Sequence, residues 1–216
     1  MHNYNPYLST ISKITDNIFL SGIYPLADNL NIIKKMKIKY ILSCVRRDHV
    51  ANIHNNIISV IPDITILYLP YDDKIDQNLW TKNNNMVQIL KYNSTSTDHD
   101  NLAKQLRLYR NKPMIEIAYH FVNTTSLLNE NILVHCMAGV SRSVSMVTYF
   151  LMKKYFVDFE TAIKIIKDKR PIVNPNSSFK LQLKHYYKKK DQFTKNDAAK
   201  IINDYKSVRI PHDDQK

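Results

Sequence analysis

Nine consecutive residues, His135-Cys136-Met137-Ala138-Gly139-Val140-Ser141-Arg142-Ser143, have the types and spacing to do chemistry on an anion. Before them runs Asn131-Ile132-Leu133-Val134, which reads as a buried strand, and from Ser143 to Met152 the pattern suits a buried helix. A strand, a tight loop and a helix N-terminus direct successive backbone N–H groups, and the positive end of a helix dipole, at one point. A cysteine at that point is favoured as thiolate, its nucleophilic form. Cys136 is thus the candidate nucleophile, and the backbone of Met137, Ala138, Gly139, Val140 and Ser141 the candidate phosphate cradle. Arg142 closes the loop, where a guanidinium can grip two phosphate oxygens at once. Ser143 follows, with a hydroxyl able to donate to the thiolate. The chain has only two glycines, and Gly139 lies inside this loop, which implies a backbone angle or close approach that forbids a side chain. The bland alternative is a structural cysteine at a strand end beside a capping arginine. It leaves this combination of residues without a cause.

The elements that must hold the loop come from a chain of 216 residues, 44% hydrophobic and 23% charged, which suits one globular domain. No apolar run is long enough to span a membrane. The N-terminus lacks the basic-then-apolar order of a signal peptide, and two cysteines do not make a disulfide framework. The expected compartment is therefore intracellular, cytoplasmic or nuclear. A formal charge of +12 draws in anionic partners: a phosphoprotein, RNA through a basic surface, or an anionic membrane face. Abundant Asn, Ile, Lys and Tyr with little Gly suggest AT-rich coding, as in a large DNA virus or a protist.

Along the chain, Ile14 to Gly22 reads as a strand closed by a glycine turn, and Leu26 to Met36 has helical spacing. Lys39 to Val45 reads as a strand, followed by a charged turn, Arg46-Arg47-Asp48-His49. Ile64 to Pro70 is the next strand. Residues 93–101 are polar and without periodicity, so they read as a loop, with a basic piece over 104–112. A helix resumes after Pro113, another starts at an Asp158 cap, and a last one runs toward Lys190. Residues 1–190 form the expected domain, with 191–216 a polar tail whose neighbouring lysines and tyrosines invite an RNA contact.

The order His-Cys-x-x-Gly-x-x-Arg-Ser resembles the signature of the cysteine-dependent protein phosphatases, and the Met-Ala-Gly-Val-Ser filling resembles their dual-specificity branch. The segment from Arg170 through Pro175-Asn176, Phe179 and Gln182-Leu183 resembles the last block of that branch, with Ser178 where a glycine is usual. The resemblance implies an α/β fold, a central mostly parallel sheet of four to five strands flanked by helices. Against that pattern, residues 91–112 stand out as an insertion. It also implies hydrolysis of phosphotyrosine and phosphoserine or phosphothreonine through a cysteinyl-phosphate, with no metal or cofactor.

Further roles follow from the same resemblance. His135 fixes the loop by hydrogen bonds, and Asn174 or Asn176 buttresses it. The proton donor is an aspartate counted back from Asn78-Leu79, which favours Asp73, with Asp72 the close alternative and Asp76 third. Cys44, on the second strand, is a redox partner in some relatives and a small buried hydrophobe otherwise. RNA 5′-phosphatases share the loop and its chemistry. Lipid phosphatases favour lysines in the loop, and this one has none. A non-catalytic phosphate-binding module is the remaining alternative.

Overall fold

Ile132, Leu133 and Val134 are fully buried, as are Ile41, Leu42, Ile66 and Leu67, because the strands that carry them are covered on both faces. The computed structural model describes residues 5–61, 63–91 and 95–188, with the side chains of 187 and 188 left aside. The tail over 191–216, the last lysines before it and Asn93-Ser94 lie outside the described residues. Six strands are described: β1 (Ser12–Lys13), β2 (Ile18–Ser21), β3 (Ile38–Ser43), β4 (Thr65–Tyr68), β5 (Gln88–Lys91) and β6 (Asn131–His135). Their order in the sheet is β1-β2-β6-β3-β4-β5. The four inner strands are parallel, and β1 and β5 are antiparallel edges.

That is one or two strands more than expected. β1 is two residues long, and β5 runs exposed, buried, half-buried, half-buried with no alternation, so neither gave a pattern to read.

β6 is central. Val134 pairs with Leu20 on one side and Leu42 on the other, and His135 with Ser21 and Ser43. The residues just past these strand ends are Gly22, Cys136 and Cys44, side by side at the carboxyl edge where open α/β sheets bind ligands.

The helices are α1 (Tyr24–Asp28), α2 (Leu30–Lys35), α3 (Arg47–Val60), α4 (Ser96–Tyr109), α5 (Met114–Leu127), α6 (Arg142–Tyr155), α7 (Phe159–Lys169) and α8 (Ser177–Lys188). All ten residues from Ser143 to Met152 are buried, so α6 is a core helix that fixes the end of the phosphate loop.

Three readings need correction. The helix expected over 26–36 is two, broken at Asn29. The charged turn at Arg46–His49 is instead the start of α3, whose buried Val50, His54 and Ile57 recur every three or four residues. Of the stretch read as a loop, residues 96–101 are the first turns of α4, nucleated by a capping box: Thr95 Oγ1 accepts from Asp98 N–H at 3.2 Å, and the Asp98 carboxylate accepts from Thr95 N–H at 3.1 Å. Lys91 adds an ion pair to Asp98 at 2.9 Å. Buried Asn83 ties the far end of this excursion back to the chain before β5, donating to Tyr109 O and exchanging backbone bonds with Asn111 and Lys112 at 2.8–3.2 Å.

Candidate active site

The loop after β6 is held from outside by its carbonyls. Cys136 O accepts from His135 Nδ1 at 3.2 Å, and Met137 O from Ile23 N–H at 2.9 Å. Ala138 O and Gly139 O accept from Arg170, at 3.2 and 2.8 Å. Val140 O accepts from Asn174 N–H at 2.9 Å, and Ser141 O from Ser145 N–H at 2.8 Å and its hydroxyl at 3.0 Å. In a trans peptide the N–H points opposite to the carbonyl it shares a plane with. Tethering each carbonyl outward therefore turns the following amides inward, toward Cys136. Gly139 N–H already reaches Cys136 Sγ at 3.2 Å, and Ser143 Oγ donates to the same sulfur at 3.2 Å.

Both glycines of the chain serve this geometry. A Cβ on Gly139 would meet Ser21 and Gly22 backbone at 2.4–2.5 Å, and its φ of +68° is one that side chains disfavour. A Cβ on Gly22 would meet Met137 O at 2.7 Å. The turn after β2 and the phosphate loop thus touch backbone to backbone.

Arg170 is fully buried. Besides the two loop carbonyls it donates to Thr10 O at 3.2 Å and Ser12 Oγ at 3.4 Å. Burial pushes its pKa down to about 10, and the nearby Cys136 sulfur works against that shift. No sequence signal marked it as a loop tether, since the carbonyls it grips lie 31 and 32 residues earlier.

Arg142 donates Nη1 to Tyr71 O at 3.2 Å, while its buried Nε has no hydrogen-bond partner among the described residues. An unpartnered buried guanidinium nitrogen is costly unless an anion completes it. Asp73 lies across from it, Oδ2 to Nε at 3.9 Å. Asp73 Oδ1 accepts from Ser141 Oγ at 2.7 Å and from Asn176 Nδ2 at 2.8 Å, so its carboxylate faces the loop. Asp72 turns away to Lys74 at 3.7 Å, and Asp76 lines a separate groove with Ile75, Trp80 and Leu181. Of the three aspartates, only Asp73 is joined to the loop.

Both asparagines touch the site differently. Asn174 acts through its backbone, its side chain being taken by Lys180 at 2.6 Å. Asn176 holds Asp73 and Ser141 while capping α8 through Phe179 N–H at 2.9 Å. Cys44 is fully buried, and burial with the adjacent Cys136 pushes its thiol well up. Of the charged pair beyond it, Arg46 binds Asp48 and Arg47 binds Gln88.

The arrangement suits one kind of reaction, phosphoryl transfer to sulfur in a ring of inward amides beside a guanidinium and a carboxyl group. The family model described as "Dual specificity phosphatase, catalytic domain" matches residues 18–189. A protein of Acanthamoeba polyphaga mimivirus, named as a tyrosine-protein phosphatase, is 52% identical over 204 residues, covering 94% of this chain and 96% of that protein. Human dual specificity protein phosphatase 16 is 35% identical over 77 residues, only 12% of its own length. The solved structure of DUSP15 superposes with a TM-score of 0.58 at 22% identity, covering 89% of this chain and 95% of that one. The chain belongs to the dual specificity phosphatase catalytic-domain family, and by class it is a protein phosphatase.

Proposed function

We propose that this chain removes phosphate from phosphotyrosine and from phosphoserine or phosphothreonine in proteins, with Cys136 as nucleophile. The observation that carries the reading is the outward tethering of every carbonyl from Cys136 to Ser141, which leaves an amide ring around the sulfur. The Cys136 thiolate attacks phosphorus, forming the S–P bond as the P–O bond to the substrate breaks. Asp73, as the acid, gives its proton to the departing oxygen. Arg142 and the amides of residues 137–141 carry the charge on the three remaining oxygens. Water then attacks phosphorus, Asp73 takes its proton, and the S–P bond breaks to leave a thiolate that Ser143 receives with its hydroxyl, 3.2 Å from the sulfur.

The domain is read as residues 1–190, with the excursion over 91–112 and the tail 191–216 as additions. The +12 charge supports an anionic partner surface, and the mimivirus relative supports a viral source with action inside the host cell. Among the described residues no helix is long and apolar enough to cross a membrane. One preparation assayed on phosphotyrosine and phosphothreonine peptides, a phosphoinositide and triphosphate-ended RNA tests the assignment. Both peptides are expected to turn over at least about tenfold faster than the others in kcat/KM, about 1.4 kcal/mol of discrimination. Preference for the RNA would make this a 5′-phosphatase, and binding without turnover a phosphate-binding module.

Cys44 is assigned a resolving role. It follows Ser43, which pairs with His135, so the two cysteines neighbour each other just past the ends of adjacent parallel strands. Strands about 4.8 Å apart bring such Cα atoms within disulfide reach. Peroxide oxidises the Cys136 thiolate to a sulfenic acid; Cys44 sulfur then attacks it, releasing water and forming the S–S bond. Peptide mapping after peroxide is expected to yield a Cys44–Cys136 crosslink, with activity restored by dithiothreitol. Sulfinic acid on Cys136 beside an unmodified Cys44 is the contrary result.

A further inference from the structure

Tyr68, Ser43 and His135 occupy one row across β4, β3 and β6, since Ser43 pairs with both. Side chains in one row share a face of the sheet. Ser43 is small, so a gap separates the phenol from the imidazole, and His54 of α3 fills it. His54 Nδ1 lies 2.9 Å from Tyr68 Oη, and its Nε2 lies 3.0 Å from His135 Nε2. Both imidazoles are fully buried.

Hydrogen-bonding capacity fixes the direction of every bond. Cys136 O can only accept, so His135 carries its proton on Nδ1. A neutral imidazole then leaves Nε2 as an acceptor, so His54 must supply a proton from its own Nε2. His54 Nδ1 is consequently an acceptor and Tyr68 the donor. Both rings are neutral: burial pushes the pKa of His54 down to about 2, helped by His135, and that of His135 to about 4, helped by Arg142. One proton sits in each of three contacts, all pointing the same way.

We infer that Tyr68 and His54 are positioning residues of the phosphate loop: they lock the His135 tautomer that holds the Cys136 carbonyl outward, away from the anion. If His54 turned its proton to Nδ1, His135 would have to donate from Nε2. Its bare Nδ1 would then face the carbonyl oxygen, and the tether on Cys136 would be lost. The carbonyl dipole would be free to swing toward the thiolate and oppose its charge. This rests on the reading of Cys136 as nucleophile, but its test does not depend on turnover alone.

Two-bond proton–nitrogen correlation spectra of the ¹⁵N-labelled full chain at neutral pH read the tautomers directly. They are expected to place the proton on Nδ1 of His135 and on Nε2 of His54; the Nε2–H tautomer at His135 overturns the inference. Tyr68→Phe and His54→Phe break the chain, whereas His54→Gln keeps an amide N–H to give to His135. In the two breaking variants the pH midpoint for alkylation of Cys136 by iodoacetamide should rise by about one unit, the size to which one hydrogen bond converts. Their kcat/KM should fall ~10-fold at neutral pH, and His54→Gln should recover most of both. Folded breaking variants with an unmoved midpoint refute the inference. Should a variant fail to fold, the wild-type tautomer spectrum still decides. Failure of the nucleophile assignment looks different: the tautomers stand, yet turnover survives Cys136→Ser.

Discussion

Cys136→Ser is expected to abolish hydrolysis, with a loss of at least about 10⁴-fold in kcat, and to leave binding of vanadate or tungstate nearly intact. The separation of the two effects is what the structure dictates. The anion is held by amides whose direction is set by tethers on Ile23, Arg170, Asn174 and Ser145, none of which involves the sulfur. A serine hydroxyl at the same point still accepts from Gly139 N–H and Ser143 Oγ, now 3.2 Å from Cys136 Sγ, so the floor of the cradle keeps its shape. It remains protonated at neutral pH and cannot attack. Steady-state kinetics beside calorimetric titration with the oxyanion checks both halves. Residual turnover above about one per cent of wild type would remove the nucleophile assignment.

Asp73→Asn carries the second large effect. The amide oxygen can still accept from Ser141 Oγ and Asn176 Nδ2, so the loop contact at 2.7 and 2.8 Å survives and only the transferable proton is lost. For peptides with alkyl or tyrosyl leaving groups, kcat should fall ~10²–10⁴-fold, the usual size of general acid catalysis. A nitrophenyl ester, whose leaving group departs without help, should be far less affected. The sign in pH follows from the proton's role. Activity in the wild type falls as the acid loses its proton with rising pH, and that high-pH limb should flatten in the variant. Asp72→Asn is the control, because Asp72 faces Lys74 and not the loop. If Asp72→Asn flattened the limb and Asp73→Asn did not, the assignment would move by one residue.

How much of this was readable before any coordinates depended on sequence distance. The segment from His135 to Ser143 is contiguous, so its chemistry is written in its spacing, and the strand and helix around it show the expected apolar runs. Asp73 was reached by counting along one loop. Arg170, His54 and Tyr68 were not reached, because Arg170 and His54 act on partners 31 and 81 positions away and Tyr68 acts only through His54, contacts that the fold alone brings together. His54 in particular sits among Asn and Ile on a helix whose charged start reads as a turn. The α4 helix was missed for another reason. Its polar first turn hides its apolar positions, although Thr95 and Asp98 stand at capping-box spacing.

Elsewhere the chain bends into left-handed backbone without glycine, at Lys37, Asp63, Asn85, Asn111, Asn129 and Phe156. Each such residue costs roughly 1–2 kcal/mol, somewhat less for Asn and Asp, and Phe156 sits at the end of α6 where glycine is the common choice. The two glycines of the chain are at positions where a side chain would drive a methyl group into main-chain atoms. Neither can be exchanged for alanine without moving the wall where the β2 turn and the phosphate loop meet.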